Sequence, residues 1–251
     1  MREKRYRRTA ASRVTAGLAA IGLAAGGCSS VPRAGDRPRG APTTAGATTT
    51  SSPARTTTTA VPRAPFPVVS TEVTVTRGAR RFGVEVLYPR PSSGRPIPLV
   101  VFSPGYDIDP GVYGPLVTGW ASLGLVVAVP DYPYTSPGTP GGVDEADIVN
   151  HPADLEATID DLLAVSGPAA PFSRMIDPAR IAVAGHSDGA VVADAAVADS
   201  CCADRRIRAA AILSGSELTS FRGTYGPAPV PLLVIQGDTD TINPPACSEQ
   251  I

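Results

Sequence analysis

Stretches with the spacing of β-strands alternate with stretches of helical spacing from Val68 onward. Two leading stretches, Val68–Thr76 and Arg81–Tyr88, alternate apolar with polar residues, which is typical of antiparallel strands. Five short apolar runs typical of buried parallel strands follow: Ile97–Phe102, Leu125–Val129, Ile181–Ala184, Ala209–Leu213 and Pro231–Ile235. Helices are predicted between them at Gly114–Leu123, Ala153–Val165 and Gly189–Ala198. This alternation predicts an α/β domain, a three-layer sandwich around a mostly parallel sheet.

The most specific motif is the sequence Gly-His-Ser-Asp-Gly at positions 185–189. It follows the apolar run Ile181–Ala184 and precedes a helix of small residues, which is the context of the nucleophile elbow of an α/β-hydrolase. Ser187 is therefore the candidate nucleophile, although a serine in an ordinary strand-to-helix loop is the plainer alternative. Gly185 and Gly189 are expected because the sharp turn leaves no room for side chains.

A serine nucleophile needs an acid that orients its base, and this fold presents the acid after a later strand. The run Pro231–Ile235 is followed by Gln-Gly-Asp-Thr-Asp, so Asp238 and Asp240 are the two candidate carboxylates. The middle helix starts near Asn150, which is expected to act as its N-cap ahead of Pro152 in the first turn.

Three segments together resemble a known group of enzymes: residues 101–106 (Val-Phe-Ser-Pro-Gly-Tyr), the elbow at 185–189, and residues 240–244 (Asp-Thr-Ile-Asn-Pro). They are similar to actinobacterial cutinase-type polyesterases and to the related dienelactone hydrolases, chlorophyllases and platelet-activating-factor acetylhydrolases. The resemblance implies hydrolysis of a carboxyl ester without a cofactor. It implies that Asp240 is the acid and that the backbone N–H groups of Tyr106 and Asp188 hold the oxyanion. His186 then occupies an elbow position that is not the base.

The substrate pocket departs from the polyesterase pattern at one position. Ser216 stands where those enzymes carry a tryptophan that stacks on aromatic polymer units, so a generic carboxyl ester is the expected substrate. Tyr106 either lines an acyl pocket or serves packing. The Asp188 carboxylate is expected at a helix N-terminus, where its charge is favoured and would repel anionic acyl groups.

The chain has only two histidines, His151 and His186, and neither follows Asp240. His151 is the better placed of the two, yet it also fits a helix-start residue beside Pro152. The resemblance places the catalytic histidine after one more strand, beyond Ile251. We therefore expect the final strand and helix of the fold to be missing, Pro231–Ile235 to form an exposed sheet edge, and the chain to be nearly inactive. A serine protease that lacks one triad member keeps only about 10³–10⁴-fold over water.

The alternative function is that of a non-catalytic surface lipoprotein that uses the hydrolase pocket for binding. The missing histidine favours it, whereas the intact elbow, acid and oxyanion loop favour the enzyme.

The N-terminal quarter differs in composition from the rest. Residues 1–28 combine a basic start, an apolar stretch and Leu-Ala-Ala-Gly-Gly-Cys, which resembles a lipoprotein signal in which Cys28 receives the lipid. Ordinary secretion with cleavage near this site is the alternative. Residues 29–67 are rich in Pro, Thr and Ala and are predicted to be a disordered linker, which leaves residues 68–251 as the hydrolase domain. The predicted location is the outer face of the cytoplasmic membrane.

Charge and cysteine content narrow the partners further. Residues 1–66 hold half of the 22 basic residues and only two of the 23 acidic ones, so the remainder carries a net charge of about −10. An acidic domain disfavours nucleic acid as a partner.

Cys201 and Cys202 can bond to each other, or one of them can bond to Cys247. No metal site is expected, because no histidine or acidic residue accompanies these cysteines at zinc spacing.

Overall fold

The computed structural model describes residues 65–90, 95–165, 170–217 and 221–251. The predicted leader, the lipid-accepting Cys28 and nearly all of the predicted linker lie outside these residues. All seven predicted strands are present: β1 (Val68–Arg77), β2 (Arg80–Pro89), β3 (Ile97–Ser103), β4 (Val126–Pro130), β5 (Ile176–His186), β6 (Ile207–Leu213) and β7 (Leu232–Ile235). The α-helices are α1 (Gly114–Ser122), α2 (His151–Ala164), α3 (Asp188–Ala198) and the short α4 (Pro245–Ser248). Within the described residues, 3-10 helices accompany them at Pro110–Tyr113, Glu145–Asn150 and Ser173–Met175.

The seven strands form one sheet in the order β1-β2-β4-β3-β5-β6-β7. The first two strands are antiparallel to their neighbours, and β4, β3, β5, β6 and β7 run parallel. This mostly parallel mixed sheet with helices confirms the predicted α/β-hydrolase fold. Parallel strands end at one edge of the sheet, so the loops after β3, β5, β6 and β7 emerge side by side.

The sheet lies between two apolar layers, because its central strands are buried on both faces. Along β3, Leu99 and Val101 face the layer that contains α2 and α3, whereas Val100 and Phe102 face the layer that contains α1. This alternation follows from the two-residue period of a strand. The result is the predicted three-layer sandwich.

Strand β7 forms one outer edge of the described sheet, next to β6. Leu233 and Ile235 on this strand are 57% and 52% exposed. The prediction that this run would be an apolar, solvent-exposed edge is confirmed. Such an edge offers unpaired backbone groups to other strands.

The start of α2 differs from the prediction in its capping. Asn150 occupies the N-cap position, but its side chain caps no backbone N–H and instead donates to the Asp147 carboxylate at 2.7 Å. Asp147 also accepts hydrogen bonds from the Arg80 guanidinium. The same guanidinium donates to Asp154 on α2 at 2.6–3.0 Å. The Asn150 amide therefore belongs to an ion-pair network that ties the beginning of β2 to α2.

The disulfide alternatives are resolved in favour of the adjacent pair, since the structure joins Cys201 to Cys202. This pair follows the C-terminal end of α3. The described residues contain no helix that is both long and apolar enough to cross a membrane.

Candidate active site

Ser187 occupies the turn between β5 and α3, as predicted. Its backbone dihedrals are φ 55° and ψ −125°, a combination that non-glycine residues rarely adopt and that costs about 1–3 kcal/mol. The surrounding backbone holds this conformation: the Ser187 N–H donates to the Leu213 carbonyl at 3.0 Å, and its carbonyl accepts from Ala190 N–H at 2.8 Å. Strain at a residue so firmly held indicates a functional position.

The two glycines of the motif are required by close backbone contacts. A Cβ atom on Gly185 would overlap the Gly189 carbonyl group. A Cβ atom on Gly189 would overlap the carbonyl groups of Ser103 and Pro104, at the end of β3. The elbow can therefore form only if both positions lack side chains.

The loop after β3 lies against Ser187. A Cβ atom on Gly105 would come within 3.3 Å of Ser187 Cβ and 3.2 Å of the His186 carbonyl oxygen. The structure thus brings Tyr106, the next residue, to the elbow. Asp107 follows with φ 52°, and its N–H donates to the Thr135 carbonyl at 2.9 Å. The assignment of the Tyr106 and Asp188 amides as oxyanion donors stays a prediction.

Tyr113 is a site residue that the sequence analysis missed. Its hydroxyl accepts from the Gly105 N–H at 3.1 Å and lies 3.0 Å from His186 Nδ1. The ring is buried against Phe102, with 4.7 Å between ring centroids. Tyr113 therefore connects the loop after β3 to His186, the residue just before Ser187.

Neither histidine is hydrogen-bonded to Ser187. Burial lowers the pKa of His186, with Asp240 opposing this shift, and Nδ1 is directed to Tyr113. His151 is buried, stacks on Tyr132 at 4.2 Å, and places Nε2 at 3.3 Å from Thr135 Oγ1. His151 is thus part of the packed interior at the start of α2. The expectation that neither histidine serves as the base agrees with this geometry.

The loop after β7 holds Asp240 through its own polar groups. One carboxylate oxygen accepts the N–H groups of Ile242 and Asn243, each at 2.9 Å, and the other accepts Gln236 Nε2 at 3.2 Å. These hydrogen bonds, that from Asn243 above all, lower the pKa of Asp240. Gln236 itself is held by the Ser248 hydroxyl, 2.6 Å from Oε1. The carboxylate is therefore ionised and positioned.

The other predicted residues of this region occupy the same end of the sheet. Asp238 lies in the same loop as Asp240 and is exposed. Ser216 is half-buried on the segment after β6. Gln236 gave no signal in the sequence, because its role depends on how the loop folds back on itself.

The approach to the site is acidic. Asp188 is the first residue of α3, and its Oδ2 atom is buried without a hydrogen-bond partner in the described structure. Contrary to the expectation that the helix N-terminus would favour this charge, burial, and then the charge of Glu145, raise the pKa of Asp188 to about 6. Desolvation raises the pKa of the Tyr106 hydroxyl, and the negative charges of Glu145, Asp107, Asp144 and Asp188 raise it further.

Comparison with known proteins agrees with the fold. No family model matches the chain, and no curated protein does. A ferulic acid esterase from Streptomyces cinnamoneus matches with a TM-score of 0.53 and 25% identity, over 70% of this chain and 66% of that enzyme. The chain therefore spans slightly less than two thirds of the esterase. The likeness supports the α/β-hydrolase fold.

Proposed function

We propose that this chain is a serine hydrolase of carboxyl esters in which Ser187 is the nucleophile. The observation that carries the proposal is the strained Ser187 turn with the Gly105 backbone packed directly against it. In the proposed mechanism, Ser187 Oγ attacks the ester carbonyl. The Tyr106 and Asp188 amides stabilise the oxyanion, and Asp240 orients the imidazole that takes the serine proton.

The base in this proposal is a histidine other than His151 and His186. Both rings make other contacts, so residues 1–251 alone are expected to acylate slowly and to release the acyl group more slowly still. We place the base beyond residue 251, as the resemblance to the polyesterase group implies. Free imidazole in solution can stand in for it.

The test is the capture of an acyl-enzyme on the chain as it stands. The protein is incubated with a short-chain nitrophenyl ester and increasing imidazole, and peptide mass spectrometry then locates the acyl group. We expect one acyl group on Ser187, formed faster as imidazole rises, and none in Ser187→Ala. Ser70→Ala, at an exposed position on β1, is the matched control and should acylate normally. An adduct that survives Ser187→Ala would refute the nucleophile, and no adduct at any imidazole concentration would favour the binding-protein alternative.

The substrate class is proposed from two comparisons. The ferulic acid esterase neighbour and the resemblance to the cutinase-type group both favour a carboxyl ester, and Tyr106 is proposed to line the acyl pocket. Ser216 in place of the polyesterase tryptophan disfavours polymeric aromatic esters. Methyl ferulate, short nitrophenyl esters and a polyester film, compared with imidazole present, would rank these classes.

The location is proposed from the N-terminal sequence alone. Residues 1–28 would direct export and leave a lipid on Cys28, and residues 29–67 would act as a tether. The alternative is a secreted protein. Detergent phase partitioning of the protein produced in a bacterial host separates these cases. The lipid anchor is supported if the wild type enters the detergent phase and Cys28→Ala does not.

A further inference from the structure

A buried carboxylate with an unpaired oxygen lies at the C-terminal end of α3. Asp199 is the C-cap residue of this helix and is fully buried. Its Oδ1 atom accepts the Cys201 N–H at 2.8 Å, whereas Oδ2 has no partner in the described structure. A buried, unpaired carboxylate oxygen is costly, and the negative end of the helix dipole adds to the cost. The position therefore favours a bound cation.

Two sulfur atoms lie beside this carboxylate. The Sγ atoms of Cys201 and Cys202 and a carboxylate oxygen of Asp199 all lie within 4.8 Å of one another. Cys201 is exposed and gives access from solvent. The backbone of the turn is fixed, because Ser200 N–H donates to the Thr224 carbonyl at 3.1 Å and Gly223 packs directly on Asp199. Two thiolates and one carboxylate are a ligand set for zinc or cadmium.

We propose that Asp199, Cys201 and Cys202 form a redox-gated site for a thiophilic divalent cation. In the first step a dithiol reduces the Cys201–Cys202 disulfide by exchange: the S–S bond breaks, two protein thiols form, and the dithiol becomes a disulfide. In the second step the cation displaces the two thiol protons and binds both sulfurs and the Asp199 oxygen. The disulfide form cannot bind, since its sulfurs are joined to each other.

This site is separate from the ester site and does not depend on the proposed hydrolase function. Helix α3 has 11 residues and runs from the nucleophile turn to Asp199, a length of about 16 Å. Loss of one activity therefore leaves the other measurable.

The experiment titrates the full chain with Cd²⁺ and Zn²⁺ before and after reduction by a phosphine, which is then removed. We expect the reduced chain to bind one Cd²⁺ with thiolate-to-cadmium charge-transfer absorption, and the oxidised chain to bind none. Cys201→Ser/Cys202→Ser should abolish binding. Asp199→Asn should weaken it about tenfold or more. Cys28→Ser/Cys247→Ser is the matched control and should bind as the wild type does.

Cadmium-113 NMR of the reduced Cys28→Ser/Cys247→Ser protein tests the ligand set even if Asp199→Asn does not fold. A shift typical of mixed sulfur and oxygen ligands supports the site. Sulfur-only coordination would overturn it. Binding that persists in Cys201→Ser/Cys202→Ser, unchanged affinity in a folded Asp199→Asn protein, or no binding after reduction would each overturn it too.

Discussion

Replacement of Tyr113 by Phe tests whether the Tyr113 hydroxyl holds the loop after β3 against the elbow. The substitution removes one oxygen atom and leaves the ring packed on Phe102. The Gly105 N–H is buried and loses its acceptor, at a cost of about 1–3 kcal/mol. His186 Nδ1 loses its contact as well, but this ring is half-buried and can reach water. The free energy of unfolding should therefore fall by about 1–3 kcal/mol.

Urea unfolding followed by circular dichroism measures this loss, and thermal unfolding should show a midpoint lower by about 2–4 °C for each kcal/mol. Burial raises the pKa of the Tyr113 hydroxyl, so it stays protonated and can donate to His186. Without this donor the His186 imidazole should protonate more readily, and its pKa, followed by NMR, should rise.

Tyr134→Phe is the matched control for this experiment. Tyr134 is 49% exposed, and its hydroxyl has no hydrogen-bond partner in the described structure. Its loss should change the free energy of unfolding by less than about 0.5 kcal/mol. If Tyr113→Phe is no more destabilising than Tyr134→Phe, the hydroxyl does not join the two segments.

Two further substitutions test the acidic approach and the exposed edge. Asp188→Asn removes the cost of a buried charge. The wild-type carboxyl has a pKa of about 6 in the folded protein against 3.8 when unperturbed. Because the folded state therefore binds the proton more tightly, the free energy of unfolding of the wild type falls as pH rises from about 4 to about 6. The variant should gain up to about 3 kcal/mol at pH 7 and nothing below pH 4, and equal unfolding curves at both pH values would contradict this. Leu233→Lys tests whether copies of the chain associate through the exposed edge of β7. It should reduce light scattering of concentrated protein with little effect on folding, because the side chain is 57% exposed. Unchanged scattering would exclude β7 as the edge through which the copies associate.

The strands, helices and nucleophile turn could be predicted from the sequence because their signals are local. Apolar runs identify buried strands, and a glycine on each side of Ser187 after such a run identifies the elbow. Asn150 shows the limit of this reasoning: the residue type fits an N-cap, yet Asp147 binds its amide instead. A local rule gives no account of a competing partner that belongs to a larger ion-pair network.

Contacts between loops could not be predicted, because they depend on the finished fold. Tyr113 is 73 positions from His186, and Arg80 is 74 positions from Asp154. Nothing in the residues near Tyr113 marks its hydroxyl as the group that joins the loop after β3 to the elbow. Only the parallel sheet, which delivers the loops after β3 and β5 to the same edge, brings it there.

The loop after β7 shows how far the proposed site is organised by its own residues. Asp240 accepts three hydrogen bonds from its own loop, and these, together with one from the Ser214 side chain, lower its pKa, so the carboxylate does not need an imidazole to hold it in place. The oxygen that accepts Gln236 Nε2 has a second lone pair with which to accept an imidazole N–H. The Ser187 turn is likewise held by backbone hydrogen bonds. In the proposed mechanism Ser187 and Asp240 are therefore positioned before any base binds, so supplying imidazole should be enough to raise the rate of acylation at Ser187. A site that depended on the base for its shape would not respond in this way.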